Sequence, residues 1–276
     1  RPARPGPICL FSKHLPGMKP AAMARALKAA GFEGVDLTVR PQGHVAPEQV
    51  AEQLPAAVRD IRAEGLAVPL ITTELLSADD PTARPILTTA GKLAVPLFKP
   101  GYYRYAYQDV RRELREAGAR LKGLAEVARR ARVQLGFHNH GGYLGGVVWD
   151  AVTIVDPLDA RWAGYYFDTR HAFAEGGQSG WKLAAHLVGS RVKAVSVKDF
   201  HWEKTAKGWD IKKVPLGQGM VDVTGIFTAL AQHGFAGPIS LHLEYDIPGG
   251  EGAVLEAAAR DLAVLRKSLA EVYGAA

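Results

Sequence analysis

The sequence predicts a single α/β domain, a closed (β/α)8 TIM barrel, and three observations predict it. Short apolar, β-rich runs alternate with stretches of helical period along nearly the whole chain. Eight such pairs succeed one another, and a helix between successive strands makes those strands parallel. The length, 276 residues, suits eight units closed on themselves better than an open sheet, and it can bury a core without staples. No linker, repeat or low-complexity tract divides the chain, so residues 1–276 read as one domain.

The elements follow in order. "PICLF" (7–11) is a strand, and "PAAMARALKAAG" (20–31) a helix stopped by Gly31. "GVDLTV" (34–39) is the second strand. The helix over 46–65 carries Pro55, where a kink or break is expected. "VPLITTEL" (68–75) precedes a helix over 80–91, and "VPLFKP" (95–100) precedes the clearest helix of the chain, 108–131, charged along one face. "VQLGFHNH" (133–140) is strand five, followed by a short helix over 150–156. "AGYYFD" (163–168), "VKAVSVKD" (192–199) and "ISLHLEY" (239–245) are the last three strands, with helices over 180–188, 222–233 and 250–272. The connection 201–219 is long; "KTAKGWDIKKV" within it reads as a hairpin over one mouth, and long loops in compact domains are often lids.

Composition narrows the function classes. The charge is +6, but the basic residues are scattered rather than gathered into the patch that nucleic acid demands, so no nucleic-acid partner is expected. No apolar run approaches a membrane span, so no membrane partner is expected. The single cysteine, Cys9, cannot form an internal disulfide, which fits a cytoplasmic chain. The chain opens on Arg1 without methionine, so export after removal of an N-terminal signal is the alternative.

Such barrels place their chemistry at the C-terminal ends of the strands. There the sequence turns polar repeatedly: Lys13 and His14 after strand one, Arg40 and His44 after two, Glu74 after three, Lys99 after four. His138 and His140 end strand five, Asp168 and His171 strand six, Lys198 and Asp199 strand seven, His242 and Glu244 strand eight. Alternate strand residues share a face, so His138 and His140 point the same way, as do His242 and Glu244. Imidazoles with carboxylates suit zinc, manganese, cobalt or iron better than calcium. Basic residues at the mouth (Lys13, Arg40, Lys99, Arg104, Arg170, Lys198) suggest an anionic or highly hydroxylated substrate. Tyr102, Tyr103, Tyr105 and Trp202 either stack on a sugar face or pack their loops.

Five segments carry a resemblance. "LGFHNHGG", "YYFDTRHAFAEGG", "SVKDF", "PLGQGMVDVTGIFTAL" and "HGFAGPISLHLEY" resemble, in order and spacing, the motifs of the xylose-isomerase-like barrels, the sugar phosphate isomerase/epimerase superfamily. The resemblance implies a divalent metal held by Glu, Asp, His and Glu on strands five to eight. Carried over, His138 stands at the first glutamate, Asp168 is retained, Ser196 replaces the histidine, and His242 stands at the last glutamate. Gln218 replaces the usual Glu of "GEG". The implied site is His138–Asp168–His242 holding Mn2+, Zn2+, Co2+ or Fe2+, with Mg2+ the poorer fit.

What this implies is an isomerase or epimerase acting on a sugar, polyol or keto-sugar through an enediolate. Glu244, Glu74, His140 and Lys198 are the catalytic candidates, and Lys13, His14, Arg40, His44, Lys99, His171, Asp199 and Trp202 the substrate contacts. β-Elimination on a keto-sugar or keto-glycoside is the alternative outcome of the same intermediate. A non-catalytic sugar-binding barrel is the alternative that Ser196 raises. The resemblance also allows a homo-oligomer.

Overall fold

The computed structural model describes residues 4–274. Eight parallel strands close into a barrel: β1 (Ile8–Phe11), β2 (Gly34–Thr38), β3 (Ala67–Thr72), β4 (Leu97–Lys99), β5 (Gln134–His138), β6 (Ala163–Asp168), β7 (Val192–Val197) and β10 (Ile239–Leu241), with β10 pairing back onto β1. The helices are α1 (Pro20–Ala29), α2 (Val50–Ala63), α3 (Ala83–Lys92), α4 (Val110–Arg130), α5 (Trp149–Val155), α6 (Thr169–Val188), α7 (Val223–Gln232) and α8 (Gly250–Tyr273). Outside the barrel, β8 (Asp199–Thr205) and β9 (Gly208–Val214) form an antiparallel hairpin.

Two layers of packing hold this together. Outward-facing strand residues such as Leu10, Val35, Leu37 and Leu135 pack under the apolar stripes of the helices, for example Leu54, Val58 and Ile61 of α2 and Leu121 and Leu124 of α4. A separate, smaller cluster, Leu70, Leu97, Tyr166 and Ala194, fills the barrel interior. One pleat toward the C-terminal end, the same inward face carries Thr72, Lys99, Asp168 and Ser196. Asp36, in register with Leu70, sets one carboxylate into this otherwise apolar interior, which closes on a buried polar floor.

Three expectations need correction. Pro55 does not interrupt its helix: a 3-10 turn covers Pro47–Gln49, α2 begins only at Val50, and the helix runs on through the proline. The helix after β6 starts eleven residues sooner than the pattern over 180–188 suggests, because the Asp168 side chain accepts from His171 N and caps it. Gly177, at φ +69°, breaks that helix in two. The hairpin begins immediately beyond Lys198 and takes in Asp199–Val214, longer than "KTAKGWDIKKV".

The register that matters is β6 against β7. It shifts between Tyr165 and Tyr166, and the shift brings Asp168 opposite Ser196. Gly164 lies just before it, where a Cβ would run into the carbonyl of Arg191. We expect Gly164→Ala to cost about 2–3 kcal/mol in urea unfolding, since that backbone contact leaves no flexible neighbour to yield. An unchanged midpoint would show that the strand pair can respace.

Candidate active site

Asp168 is the hub of the polar floor. It is fully buried, and its Oδ2 accepts from three side chains: Ser196 Oγ at 2.6 Å, Lys198 Nζ at 2.9 Å and His138 Nε2 at 3.0 Å. Its Oδ1 accepts from His171 N at 2.8 Å. Asn139 clamps the strand end, its amide donating to Asp168 O and accepting from Asp168 N, at 3.1 and 2.7 Å. Burial alone would raise this carboxyl; Lys198, His171 and His138 together outweigh it and hold Asp168 well below its ordinary value of 3.8.

A second chain of polar groups crosses the floor. His242 Nε2 lies 3.2 Å from the Tyr166 hydroxyl, which donates to Asp36 Oδ2 at 2.8 Å. Asp36 also accepts from Ser240 Oγ at 2.9 Å and Thr72 Oγ1 at 2.7 Å. With the Tyr166 proton committed to Asp36, His242 presents Nε2–H to the phenol oxygen. That leaves a lone pair on Nδ1, which is buried without a hydrogen-bond partner, 4.0 Å from Glu244 Oε1.

Above this floor opens a cavity of about 110 Å3, lined among others by Tyr102, His138, His140, Lys198, His242 and Glu244. His140 Nδ1 lies 2.8 Å from Gly141 O and must carry the proton there, so Nε2 holds the lone pair. Burial lowers His138 to about 3 and His140 to about 4, and pushes His242 well below 6.5, so all three are uncharged at neutral pH. Burial also lowers Lys198, against the opposing pull of Asp168 and Glu244. Lys99, buried and 3.4 Å from the Tyr102 ring centroid, is pushed down to about 7 by burial and by Arg40.

The expected site residues divide clearly. His138, His140, Lys198, His242, Glu244, Lys13 and Arg40 line the cavity. Glu244 is held at about 2: burial would raise it, but Lys198 and Lys13 prevail, and Lys13 and Lys213 lie 3.4 and 3.9 Å away. It is a poor base and a good anchor for ammonium groups. Glu74 is exposed and pairs loosely with Arg40 at 3.7 Å, so it is no base for this cavity. Asp199, expected at the substrate, instead accepts four backbone N–H groups, from Phe200, Gly217, Gly219 and Val221, and pins the "GQG" turn. His44 is occupied by Thr38 Oγ1 and Leu15 O, both at 3.1 Å.

His14 accepts from Leu243 N at 3.0 Å and so positions the segment that carries His242 and Glu244. His171 accepts from Gly141 N at 3.0 Å and lies against His140, ring centroids 3.9 Å apart. His171 is buried and His14 half-buried, and both support the cavity walls without lining them. Trp202 stands half-exposed on β8, next to Phe200. Of the aromatics, Tyr102 meets the cavity, whereas Tyr103 and Tyr105 spend their hydroxyls on Leu76 O and Asp150. Asp36, Tyr166 and Asn139 are the participants that sequence reasoning missed.

The sequence model of the xylose isomerase-like TIM barrel family matches residues 24–268. This chain belongs to that family. It is 29% identical over 175 residues to the L-ribulose-5-phosphate 3-epimerase UlaE of Escherichia coli, a stretch that is 63% of this chain and 57% of the relative. The fold superposes on D-psicose 3-epimerase from Clostridium cellulolyticum H10, crystallised with D-tagatose, at TM-score 0.72 with 14% identity over 96% of this chain and 99% of that one. It likewise superposes on a xylose isomerase-like TIM barrel protein of Mycobacterium smegmatis in complex with magnesium, at TM-score 0.68 and 17% identity, covering 95% and 97% of the two chains.

A divalent cation does not fit the donor set as it is arranged. Among the described residues, no three His, Cys, Asp or Glu side chains converge on a point an ion could share. Of the expected trio, His138 and Asp168 meet, but as donor and acceptor of one hydrogen bond. His242 turns its Nε2 to Tyr166, its ring centroid 6.2 Å from that of His138.

Two stability measurements test this electrostatic picture. Asp168→Ala strands the Lys198 ammonium, and we expect a loss of about 3–5 kcal/mol at pH 7. The folded carboxyl is the more acidic, so this contribution is complete above the unfolded value and fades as pH falls through the folded one. The gap between wild type and variant should therefore narrow below about pH 4. Lys99→Met has the opposite sign. The unfolded chain holds the Lys99 proton up to about 10.5, the folded one only to about 7, so wild-type stability rises across that window. The substitution should stabilise the protein at pH 6 by on the order of 1–3 kcal/mol, less as pH approaches 10. A pH-independent difference would refute the buried ammonium.

Proposed function

We propose that this barrel isomerises or epimerises a keto-sugar or a closely related hydroxylated carbonyl compound by moving a proton on the carbon beside the carbonyl. The observation that carries the reading is the company kept in one small cavity. Two uncharged imidazoles, with lone pairs on His242 Nδ1 and His140 Nε2, stand around the ammonium of Lys198. The similarity to L-ribulose-5-phosphate 3-epimerase supports the substrate class, although the match spans just over half of that relative.

The chemistry follows from those groups. One imidazole takes the proton from the C–H bond and becomes an imidazolium, while the bonding pair moves into the C–C bond and the carbonyl π pair onto oxygen. The developing enediolate oxygen is stabilised by Lys198, whose ammonium has three N–H donors. Asp36, through Tyr166, keeps His242 in the tautomer with Nδ1 free. Return of the proton to the former carbonyl carbon, with the hydroxyl proton passing from its own oxygen to the former carbonyl oxygen, isomerises the substrate. Return to the opposite face of the same carbon inverts it, and needs a second proton-carrying group across the cavity. His140 and His242 extend from β5 and β10, which β6 and β7 separate in the barrel. Glu244 ties down the ammonium groups at the mouth, and the surplus of positive charge there favours an anionic or hydroxyl-rich ligand.

Incubation with a panel of ketopentoses, ketohexoses and their phosphates in deuterated water tests this by NMR. Deuterium should enter at the carbon beside the carbonyl. His242→Asn and His140→Asn should each slow exchange by about 100-fold or more while leaving the thermal midpoint near wild type. Release of a β-substituent would show the same enediolate collapsing by elimination. An absence of exchange across the whole panel would end the proposal.

A further inference from the structure

We propose that the Lys198 ammonium takes the place of a divalent cation in this barrel, so that the chain works without a resident metal. The inference rests on the function proposed above for its catalytic half, and on geometry alone for its binding half. It starts from β7. Ser196 lies on β7, Lys198 is the residue immediately beyond its end, and both side chains reach Asp168 Oδ2. Ser196 is short and donates its hydroxyl to Asp168 Oδ2 at 2.6 Å. Lys198 sets its ammonium 2.9 Å from the same oxygen.

The carboxylate then has nothing left to offer an ion. Three donors converge on Oδ2, and Oδ1 caps α6 through His171 N. His138 faces Asp168 with Nε2–H, the atom that would have to be a bare lone pair to ligate from that side. A second cation near Asp168 would also sit against the Lys198 ammonium, with Lys99, Lys13 and Arg40 close behind it and Glu244 already engaged by Lys13 and Lys213. The single charge of Lys198 needs no further ligand. One N–H satisfies Asp168, and the other two remain for substrate oxygens in the cavity that Lys198 lines.

The test uses the full chain, purified without metal-charged resin and dialysed against EDTA. Elemental analysis should find divalent metal far below one equivalent. Calorimetric titration with Mn2+, Zn2+, Co2+ and Mg2+ should show no saturable site, and the thermal midpoint should not rise with added metal, as ligand linkage would require. Saturable one-to-one binding that Asp168→Asn abolishes would overturn the inference, whether or not any sugar is a substrate. If the deuterium assay finds a substrate, exchange should persist in EDTA and fall by about 100-fold or more in Lys198→Gln. Exchange that EDTA stops and Mn2+ restores would overturn the inference while leaving the proposed reaction intact. Exchange absent for every sugar would remove the reaction and leave the titration to decide the metal.

Discussion

A carboxylate taken wholly out of water must find its hydrogen-bond donors in the protein, and Asp168 is where this barrel meets that demand. Isolated, the ionised group would be costly to bury; surrounded by a hydroxyl, an imidazole N–H, an ammonium and a helix N–H, it becomes the point to which three strands are tied. The donors come from three places in the chain: Ser196 on β7 with Lys198 just beyond it, His138 on β5, and His171 in the first turn of α6. The β6–β7 register shift and the bare backbone at Gly164 belong to the same arrangement, because without them Asp168 would not lie opposite Ser196. The hub thus fixes strand register, starts a helix and positions the ammonium in one stroke.

Burial around the hub sets the protonation states that chemistry there would use. Desolvation keeps His138, His140 and His242 uncharged, and it loosens the protons of Lys99 and Lys198 without stripping the latter of its ionic partner. The two polar chains do different work. The Asp168 chain anchors a cation. The Asp36–Tyr166 chain orients an imidazole and leaves its outer nitrogen unpartnered, an arrangement that a folding requirement alone does not explain. Lys99 belongs to neither chain: it has a cation–π contact with Tyr102 rather than a close carboxylate, so its charge is a burden on the fold at neutral pH and below.

Much of the fold was legible because it is periodic. All eight barrel strands fall where an apolar run was read, and the helices between them follow from their stripes. The ends were harder, since they are set by partners distant in sequence. The start of α6 depends on a carboxylate also engaged by β5 and β7, which no local pattern records. In the site, "HNH", "FDTRH" and "SVKD" stood out because charge interrupts an apolar strand. Asp36 and Tyr166 did not, because each sits inside a run that reads as ordinary strand, and only the closed barrel shows that both face inward. Asp199 misled for the reverse reason. It is polar and at a strand end, yet its four donors lie one to twenty-two residues further along, in a turn that the sequence leaves unplaced.

One carboxylate decides how the whole constellation reads. Histidine, aspartate and histidine at the ends of the later strands look like a metal site in sequence, and donor types alone cannot separate that from an ion-pair network. The separation lies in the direction of the protons. A metal needs lone pairs turned toward a common point, whereas here His138 and Ser196 turn N–H and O–H toward Asp168, and His242 turns N–H away toward Tyr166. Serine at 196, where the resemblance places an imidazole, turns a hydroxyl onto the carboxylate that also holds the Lys198 ammonium. What looks in sequence like the loss of one ligand is, in three dimensions, one more donor to a buried carboxylate, and the opening histidine of "HNH" becomes another.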